Sequence, residues 1–214
     1  MPRFVSYISN GIYDIGCTGQ TVYVYDKNGT ELAKFKDLIY VHYAVISPCG
    51  DMFVVKSIDG RLAVYSLETL SLIKKIRFSK VNYSQDDGSC FSADGKYFIN
   101  LERQGDDLHS AISVYDTSDF TRISQILLGD SGMVYDIEQV DGEFYVFGFW
   151  RDTDLLITKN FVAKYKDGKI CEAFNITENE HENYNELLLD KRRGETVTNH
   201  TLATLWRYYA TQKF

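Results

Sequence analysis

A phrase that recurs four times along this chain of 214 residues limits its fold more than any other feature. Each copy has a strand, a glycine-bearing turn, a second strand, a variable loop and a third strand that ends near Val-Tyr-Asp. The turns centre on Gly11, Gly50, Gly95 and Gly142, which are 39, 45 and 47 residues apart. Glycine permits the positive φ that a tight hairpin turn needs. The chain is therefore predicted to be an array of similar β units.

The third strand of each unit is followed by a short polar turn and another alternating strand. The third strands are TVYVYD ending at Asp26, RLAVYS at Ser66, AISVYD at Asp116 and FVAKYK at Lys166. Four antiparallel strands in each unit are typical of a propeller blade. Because one blade cannot cover both of its own faces, the units must stack. Tyr25, Tyr65 and Tyr115 are therefore predicted to be buried between blades.

The turns SPCGD and SADGK, followed by Val-Tyr-Ser or Val-Tyr-Asp, resemble those of WD-repeat β-propeller proteins. The resemblance covers about residues 1–176 and implies an all-β, propeller-like array of about four four-stranded antiparallel blades. Tyrosines stand where the family has tryptophan, at Tyr25, Tyr65, Tyr115 and Tyr165. The Gly-His dipeptide of the family is absent. The strand of the family ends in Trp-Asp, and Ser66 and Lys166 stand at the position of that aspartate in two of the units. The family usually builds about seven blades, so closure of four into a ring stays an open question.

Residues 177–214 depart from this pattern and are predicted to be a C-terminal capping segment. Apolar and aromatic residues recur there at helical spacing, at Leu202, Leu205, Trp206 and Tyr209. With Thr198 or Asn199 as the cap, this spacing predicts a terminal helix. Two strands of a fifth blade are the alternative. In either form the segment would cover an open end, as repeat arrays require.

The acidic charge balance limits the partners of the chain. A net charge of −7 and a pI near 5.1 argue against nucleic-acid binding, which needs clustered lysine and arginine. A basic protein partner fits this charge better. The sequence has neither the pattern of a signal peptide nor the roughly 20 apolar residues of a membrane span. We therefore expect a cytoplasmic protein with no membrane partner.

No pattern typical of an active site is present in the sequence. The histidines share no metal-ligand spacing, and the four cysteines include no CxxC pair. Nucleophile elbow, Walker loop and dinucleotide fingerprint are also absent. We therefore expect no catalysis, no cofactor and no metal. The alternative is a propeller-type enzyme in which paired carboxylates act on a sugar or small molecule at the axial channel.

The loop between the second and third strands lengthens in the last two units. From the turn glycine to the third-strand tyrosine, the distances are 14, 15, 20 and 23 residues. Loops on a rigid scaffold commonly carry binding groups. The predicted partner-binding residues are Asp86, Asp87, Asp106, Asp107, His109, Tyr135, Trp150, Arg151, Asp152 and Asp154. Asp37 and Asp136 are expected on the same rim, where carboxylates and aromatic anchors suit a cationic partner.

These observations predict a non-catalytic protein-binding module. Its sharper form is an acidic immunity or inhibitor protein that neutralises a basic toxin or nuclease. The alternatives are a scaffold subunit of a larger assembly, a half ring completed by a second copy, and an acidic face that only keeps the protein soluble. A separate basic cluster, at Lys74, Lys75, Arg77 and Lys80, is predicted to protect an outer strand from edge-to-edge aggregation.

Overall fold

The computed structural model describes residues 2–79, 88–104, 109–128, 132–152, 157–192 and 201–212. Within these ranges the chain forms sixteen strands and two helices. The strands make four antiparallel sheets of four strands each, and the strands of each sheet are neighbours in chain order. The predicted propeller-like array of four blades is confirmed.

Each blade is one run of four strands followed by the next run. Blade 1 contains β1 (Ser6–Ser9), β2 (Tyr13–Cys17), β3 (Val22–Asp26) and β4 (Glu31–Phe35). Blade 2 contains β5 (Val41–Ile46), β6 (Met52–Ser57), β7 (Arg61–Ser66) and β8 (Ser71–Arg77). Blade 3 contains β9 (Ser89–Phe91), β10 (Tyr97–Gln104), β11 (His109–Asp116) and β12 (Thr121–Leu127). Blade 4 contains β13 (Gly132–Val140), β14 (Glu143–Asp152), β15 (Ile157–Lys166) and β16 (Lys169–Asn175).

The turn glycines have the conformation that the sequence predicts. Gly11, Gly50, Gly95 and Gly142 have φ angles of 80°, 72°, 71° and 82°. Each joins the first strand of a blade to the second. In blade 3 the Ser92 hydroxyl closes the turn, because it accepts a hydrogen bond of 2.9 Å from the Tyr97 N–H and donates one of 2.7 Å to Asp94. The repeat in the sequence is therefore the repeat of the blade.

In blades 2, 3 and 4, the tyrosine near the end of the third strand faces the preceding blade. Tyr65 and Tyr115, which are 0% and 2% exposed, lie in the cores between blades 1 and 2 and between blades 2 and 3. Tyr165 lies between blades 3 and 4. The prediction that Tyr25 packs between two blades is wrong, although its side chain is half-buried against Phe4 and Tyr23 of its own blade. Among the described residues, no other blade packs against its side of blade 1.

A β-bulge occurs at the same place in three blades. The pairing of third and fourth strands shifts at Val24/Tyr25, Val64/Tyr65 and Val114/Tyr115. The residues left out of the pairing are Leu32, Ile73 and Ile123, which are 39%, 53% and 54% exposed. A bulge bends an edge strand and weakens it as a template for another strand. The outer strands β4, β8 and β12 are exposed along most of their length, so these apolar side chains share the exposure of their paired neighbours.

Two helices, α1 (Glu178–Arg192) and α2 (Leu202–Thr211), cover the outer face of blade 4. Tyr145, Phe147 and Val162 of the blade form one core with Tyr184 and Leu202 of the helices. α1 also contacts β1 of blade 1. Neither described helix is long and apolar enough to cross a membrane.

Each helix begins with a side-chain cap. Thr177 and Glu180 form a capping box at α1, in which the Glu180 N–H donates to the Thr177 hydroxyl at 3.3 Å and the Thr177 N–H donates to Glu180 Oε2 at 2.9 Å. α2 confirms the predicted terminal helix. Its cap is Thr201, which accepts a hydrogen bond from the Thr204 N–H, whereas the predicted caps at 198 and 199 lie outside the described residues.

Candidate partner-binding groove

A cavity of about 540 Å³ lies between α1 and α2, and it is called the helix groove below. Its lining residues are Glu180, Asn183, Tyr184, Glu186, Leu187, Asp190, Thr201, Thr204, Leu205 and Tyr208. Carboxylates, tyrosine rings and leucines are combined in this set, and none of these lining side chains is basic. The groove is therefore an apolar cleft with an acidic border.

Helical spacing brings these side chains to one surface. Residues three, four and seven apart share one side of a helix, which places Glu180, Tyr184 and Leu187 of α1 together. Leu205 and Tyr208 face them from α2. Tyr184 is 3% exposed and Tyr208 is 53% exposed. The Tyr184 ring is thus part of the floor of the groove, and the Tyr208 ring is accessible to a partner.

The hydrogen bonds around Glu180 keep its carboxyl group charged. Burial alone would raise the pKa of Glu180, but hydrogen bonds from Tyr209 and Thr177 outweigh that effect and the pKa lies below its ordinary value. Burial and the hydrogen bond to Glu180 raise the pKa of Tyr209 to about 12. At neutral pH this end of the groove therefore carries a fixed negative charge.

Two carboxylates of β13 hold the helices in place. The Tyr184 hydroxyl donates to Asp136 Oδ2 at 2.9 Å, and the Leu202 N–H donates to Glu138 Oε2 at 2.7 Å. A carboxylate at the start of α2 is also favoured by the helix dipole. Burial, followed by the charges of Asp136 and Glu138, raises the pKa of Tyr184 well above its ordinary value. The groove walls are thus fixed before any partner binds.

Asp136 therefore has a different place from the one predicted. The sequence suggested an exposed rim, but this carboxylate is 8% exposed and is bonded to α1. Asp37, also expected on the rim, accepts a hydrogen bond of 3.3 Å from Tyr65 and forms an ion pair of 3.0 Å with Lys75. Both residues serve contacts within the fold.

Half of the ten predicted partner-binding residues fall outside the described structure. Asp86, Asp87, Asp106, Asp107 and Asp154 are all outside the described residues. His109 lies in β11, and Arg151 and Asp152 lie in β14, although their side chains are not among those described. Their backbones pair with Gln104, Thr158 and Ile157. The inserted residues thus lengthen strands as well as loops.

The two predicted aromatic anchors lie on opposite faces of blade 4. The Trp150 ring stacks on Phe161 at a centroid distance of 4.5 Å and an interplanar angle of 15°, in the core between blades 3 and 4. Tyr135 packs 5.4 Å from Phe149, in the core under the helices. The structure does not bring these rings together. A binding role for the remaining members of the set stays a prediction.

The predicted basic cluster on β8 connects neighbouring units. Lys74 Nζ donates to the Asp119 carbonyl of blade 3 at 2.5 Å. Lys75 pairs with Asp37 in the connection between blades 1 and 2. Lys80 lies outside the described residues. These two lysines tie blade 2 to both of its neighbours, in addition to any effect on aggregation.

The helix groove is not among the predicted sites, because α1 was not predicted as a helix. The signal was present as Thr177-x-x-Glu180, a capping-box pattern, with Tyr184 and Leu187 following at helical spacing. With α1 recognised, the acidic and apolar residues of the groove fall on one side of a helix. No cluster of three potential metal ligands occurs among the described residues.

The stacked four-stranded blades define a partial, WD-like β-propeller whose last blade is covered by helices. The sequence matches no protein-family model and no curated protein. The structure is similar to hydrazine synthase of Kuenenia stuttgartiensis, with a TM-score of 0.61 and 16% identity over 80% of this chain and 52% of that one. It is also similar to the WD40 domain of Toxoplasma gondii coronin, with a TM-score of 0.59 and 16% identity over 78% of this chain and 44% of that one.

Because the sequence identity is low in both cases, these similarities establish the fold alone. The chain spans about half the length of either structure. The resemblance to WD-repeat propellers that the turn motifs predict is confirmed at the level of the fold.

Proposed function

We propose that this protein is a non-catalytic protein-binding module and that its helix groove receives a basic segment of the partner. The supporting observation is the combination of an apolar floor with an acidic border in one cleft of about 540 Å³. Lysine and arginine have apolar stems and charged heads, so their stems fit against Leu187 and Leu205 while their heads pair with Glu186. The exposed ring of Tyr208 adds a face for a cation.

The sharper form of the proposal is an immunity or inhibitor protein that occludes a basic toxin or nuclease. The net charge of −7 supports this form, because opposite charge speeds the encounter with a cationic protein. In this form the acidic residues at 86–87, 106–107 and 152–154 act at longer range than the groove. Replacing Asp106 and Asp107 with Asn should then slow association and leave dissociation unchanged.

The groove is tested first with a defined probe. Isothermal titration calorimetry would measure binding of the full chain to an amidated peptide rich in arginine and leucine. Glu186→Lys should weaken this binding at least about tenfold, because it places a like charge at the border of the groove. Glu68→Lys is the matched control, since Glu68 is an exposed residue of a blade 2 turn. Equal losses in the two variants would mean that the peptide senses only net charge, which contradicts a groove site.

The partner itself is tested by affinity capture from the native cell with the same three proteins. The proposal expects a basic protein that is retained by the wild type and Glu68→Lys and lost by Glu186→Lys. The inhibitor form further expects that this partner has a toxic or nuclease activity that the purified protein suppresses at equimolar ratio. A partner whose capture does not depend on Glu186 would place the interface elsewhere.

A further inference from the structure

In the part of the chain that the structure describes, none of the four hydrophobic cores lies on the outer face of blade 1, although α1 contacts its first strand, β1. Each face between blades is packed against a neighbour, and the outer face of blade 4 is packed against α1 and α2. On blade 1 the outer side carries half-buried aromatic rings and three charged groups, called the aromatic face below. Its members are Phe4, Tyr7, Asp14, Tyr23, Tyr25, Glu31 and Lys34.

The strand register arranges this face in two rows. The first row crosses the four strands as Tyr7, Gly16, Tyr23 and Lys34. The second row crosses them as Ser9, Asp14, Tyr25 and Glu31. Side chains of residues paired across strands lie on the same side of a sheet. On β4, the first row therefore ends in a cation and the second in a carboxylate.

The rings of this face are fixed against one another. Tyr23 and Tyr25 stack at a centroid distance of 6.1 Å with an interplanar angle of 8°. Phe4 contacts both of them, at 6.0 and 6.3 Å, and its ring lies over Gly16, where a Cβ would collide with it. The absence of a side chain at Gly16 thus lets Phe4 fill the centre of the face. An ordered aromatic surface loses little side-chain entropy when it is covered.

We propose that a second copy of this chain covers the aromatic face through a twofold axis that runs across the strands between the two rows. Such an axis places the first row of one protomer opposite the second row of its partner. Lys34 of one protomer then lies opposite Glu31 of its partner, and Tyr23 lies opposite Tyr25. This arrangement is self-complementary, as an isologous interface must be.

Charge favours a second copy over an unrelated partner at this face. Glu31 and Lys34 form an ion pair of 2.9 Å within each chain, and their side chains are 40% and 49% exposed. Twofold pairing joins two such pairs into an alternating set of four charges, although the whole chain is acidic. The aromatic rings of this face are already half-buried within the chain, so only part of their surface is left to bury, whereas a standard interface buries roughly 800 Å² per partner. The dimer should therefore be weak and depend on protein concentration.

Sedimentation velocity of the full chain from about 1 to 100 μM tests the proposal over the range expected for a weak interface. The wild type should shift from the 24.6 kDa monomer toward a species of twice that mass. Tyr25→Arg should remain monomeric throughout. Tyr97→Arg, at a 41% exposed tyrosine of blade 3, is the matched control and should dimerise like the wild type. A wild type that stays monomeric would mean that some other molecule covers the face, and it would overturn the proposal.

A charge exchange tests the register without altering an aromatic ring. Lys34→Glu should weaken dimerisation at least about tenfold, because carboxylates then oppose one another. The double variant Lys34→Glu/Glu31→Lys should restore it, since opposite charges again meet across the axis. Lys96→Glu removes a comparable exposed pair in blade 3 and should have no effect. If the double variant fails to restore dimerisation, or if Tyr25→Arg dimerises as well as its control, the proposed interface is wrong.

Discussion

Tyr184 in α1 donates a hydrogen bond of 2.9 Å to Asp136 in β13, and these residues are 3% and 8% exposed. The bond links the helical segment to the first strand of blade 4. A hydrogen bond to a charged acceptor in a buried site contributes more to the free energy of unfolding than a bond between neutral groups near water. The position of the helix groove thus depends on a contact between residues 48 positions apart.

Tyr184→Phe should lower the free energy of unfolding by about 1.5 to 3 kcal/mol, because it removes a donor to a buried carboxylate while keeping the ring. Urea denaturation followed by circular dichroism would measure the change. Tyr208→Phe is the control on the facing helix and should alter stability by less than about 0.5 kcal/mol, since Tyr208 is 53% exposed. Similar losses in both variants would contradict an anchoring role for Tyr184.

Tyr115→Phe should be more destabilising than the equivalent Tyr65→Phe in blade 2. The Tyr115 hydroxyl donates at 2.6 Å to Glu102, a fully buried carboxylate that also accepts from Ser113. The Tyr65 hydroxyl is 3.3 Å from Asp37, which is partly exposed. We expect losses of about 1.5 to 3 kcal/mol for Tyr115→Phe and less than about 1 kcal/mol for Tyr65→Phe. Chemical denaturation of the two variants would measure both losses of unfolding free energy. A larger loss for Tyr65→Phe than for Tyr115→Phe would contradict the prediction.

Truncation to alanine should distinguish the interior tyrosines from the terminal one. Tyr65→Ala should cost about 3 to 5 kcal/mol, as is typical of a large aromatic side chain removed from a core. Tyr25→Ala should cost less than about 2 kcal/mol at protein concentrations where the chain is monomeric, because Tyr25 is half-buried. Thermal unfolding would measure both variants, and the melting temperature should fall more for Tyr65→Ala than for Tyr25→Ala. Equal costs would mean that the outer side of blade 1 is covered within the monomer.

The stability of α1 should depend on pH through Glu180. Its pKa is lowered in the folded chain, where hydrogen bonds from Tyr209 and Thr177 overcome the opposing effect of burial. The stabilisation is therefore complete above the unfolded pKa, about 4.3, and is lost as the pH falls through the lower folded value. Glu180→Gln should be less stable than the wild type at pH 7, and the difference should shrink toward pH 3. Denaturation at several pH values would detect it, with the exposed Glu182→Gln as the charge-matched control.

Local sequence patterns were sufficient to predict the blades. Glycine at a hairpin turn and valine and tyrosine at alternate positions are requirements of a single unit, and Gly95 and Tyr115 satisfy them within one stretch of 21 residues. The helix α2 was predictable for the same reason, since its spacing and cap are local. The capping box of Thr177 and Glu180 shows that α1 was accessible to the same reasoning.

The faces of blade 4 were not predictable, because they depend on an irregularity in the sheet. Pairing of β13 with β14 shifts between Val134 and Asp136, which changes the side to which the following residues point. Tyr135 and Asp136 consequently both point toward the helices, whereas Trp150, which pairs with Gly132, lies on the opposite face. The pairing of Lys75 with Asp37 escaped prediction for a similar reason, since it joins two blades. A contact made at one place only, unlike the packing of the repeated tyrosines, leaves no periodic trace in the sequence.

The helices over blade 4 also determine how far such a protein can associate with itself. A stack of like units with two bare ends can add further copies head to tail and grow into a filament. In the described residues, α1 and α2 cover one end of the array, and the aromatic face lies at the other. An isologous pairing at that face, as proposed, would occupy it in both protomers. Growth would then stop at two copies, so the proposed dimer would be a finite particle and not a fibre.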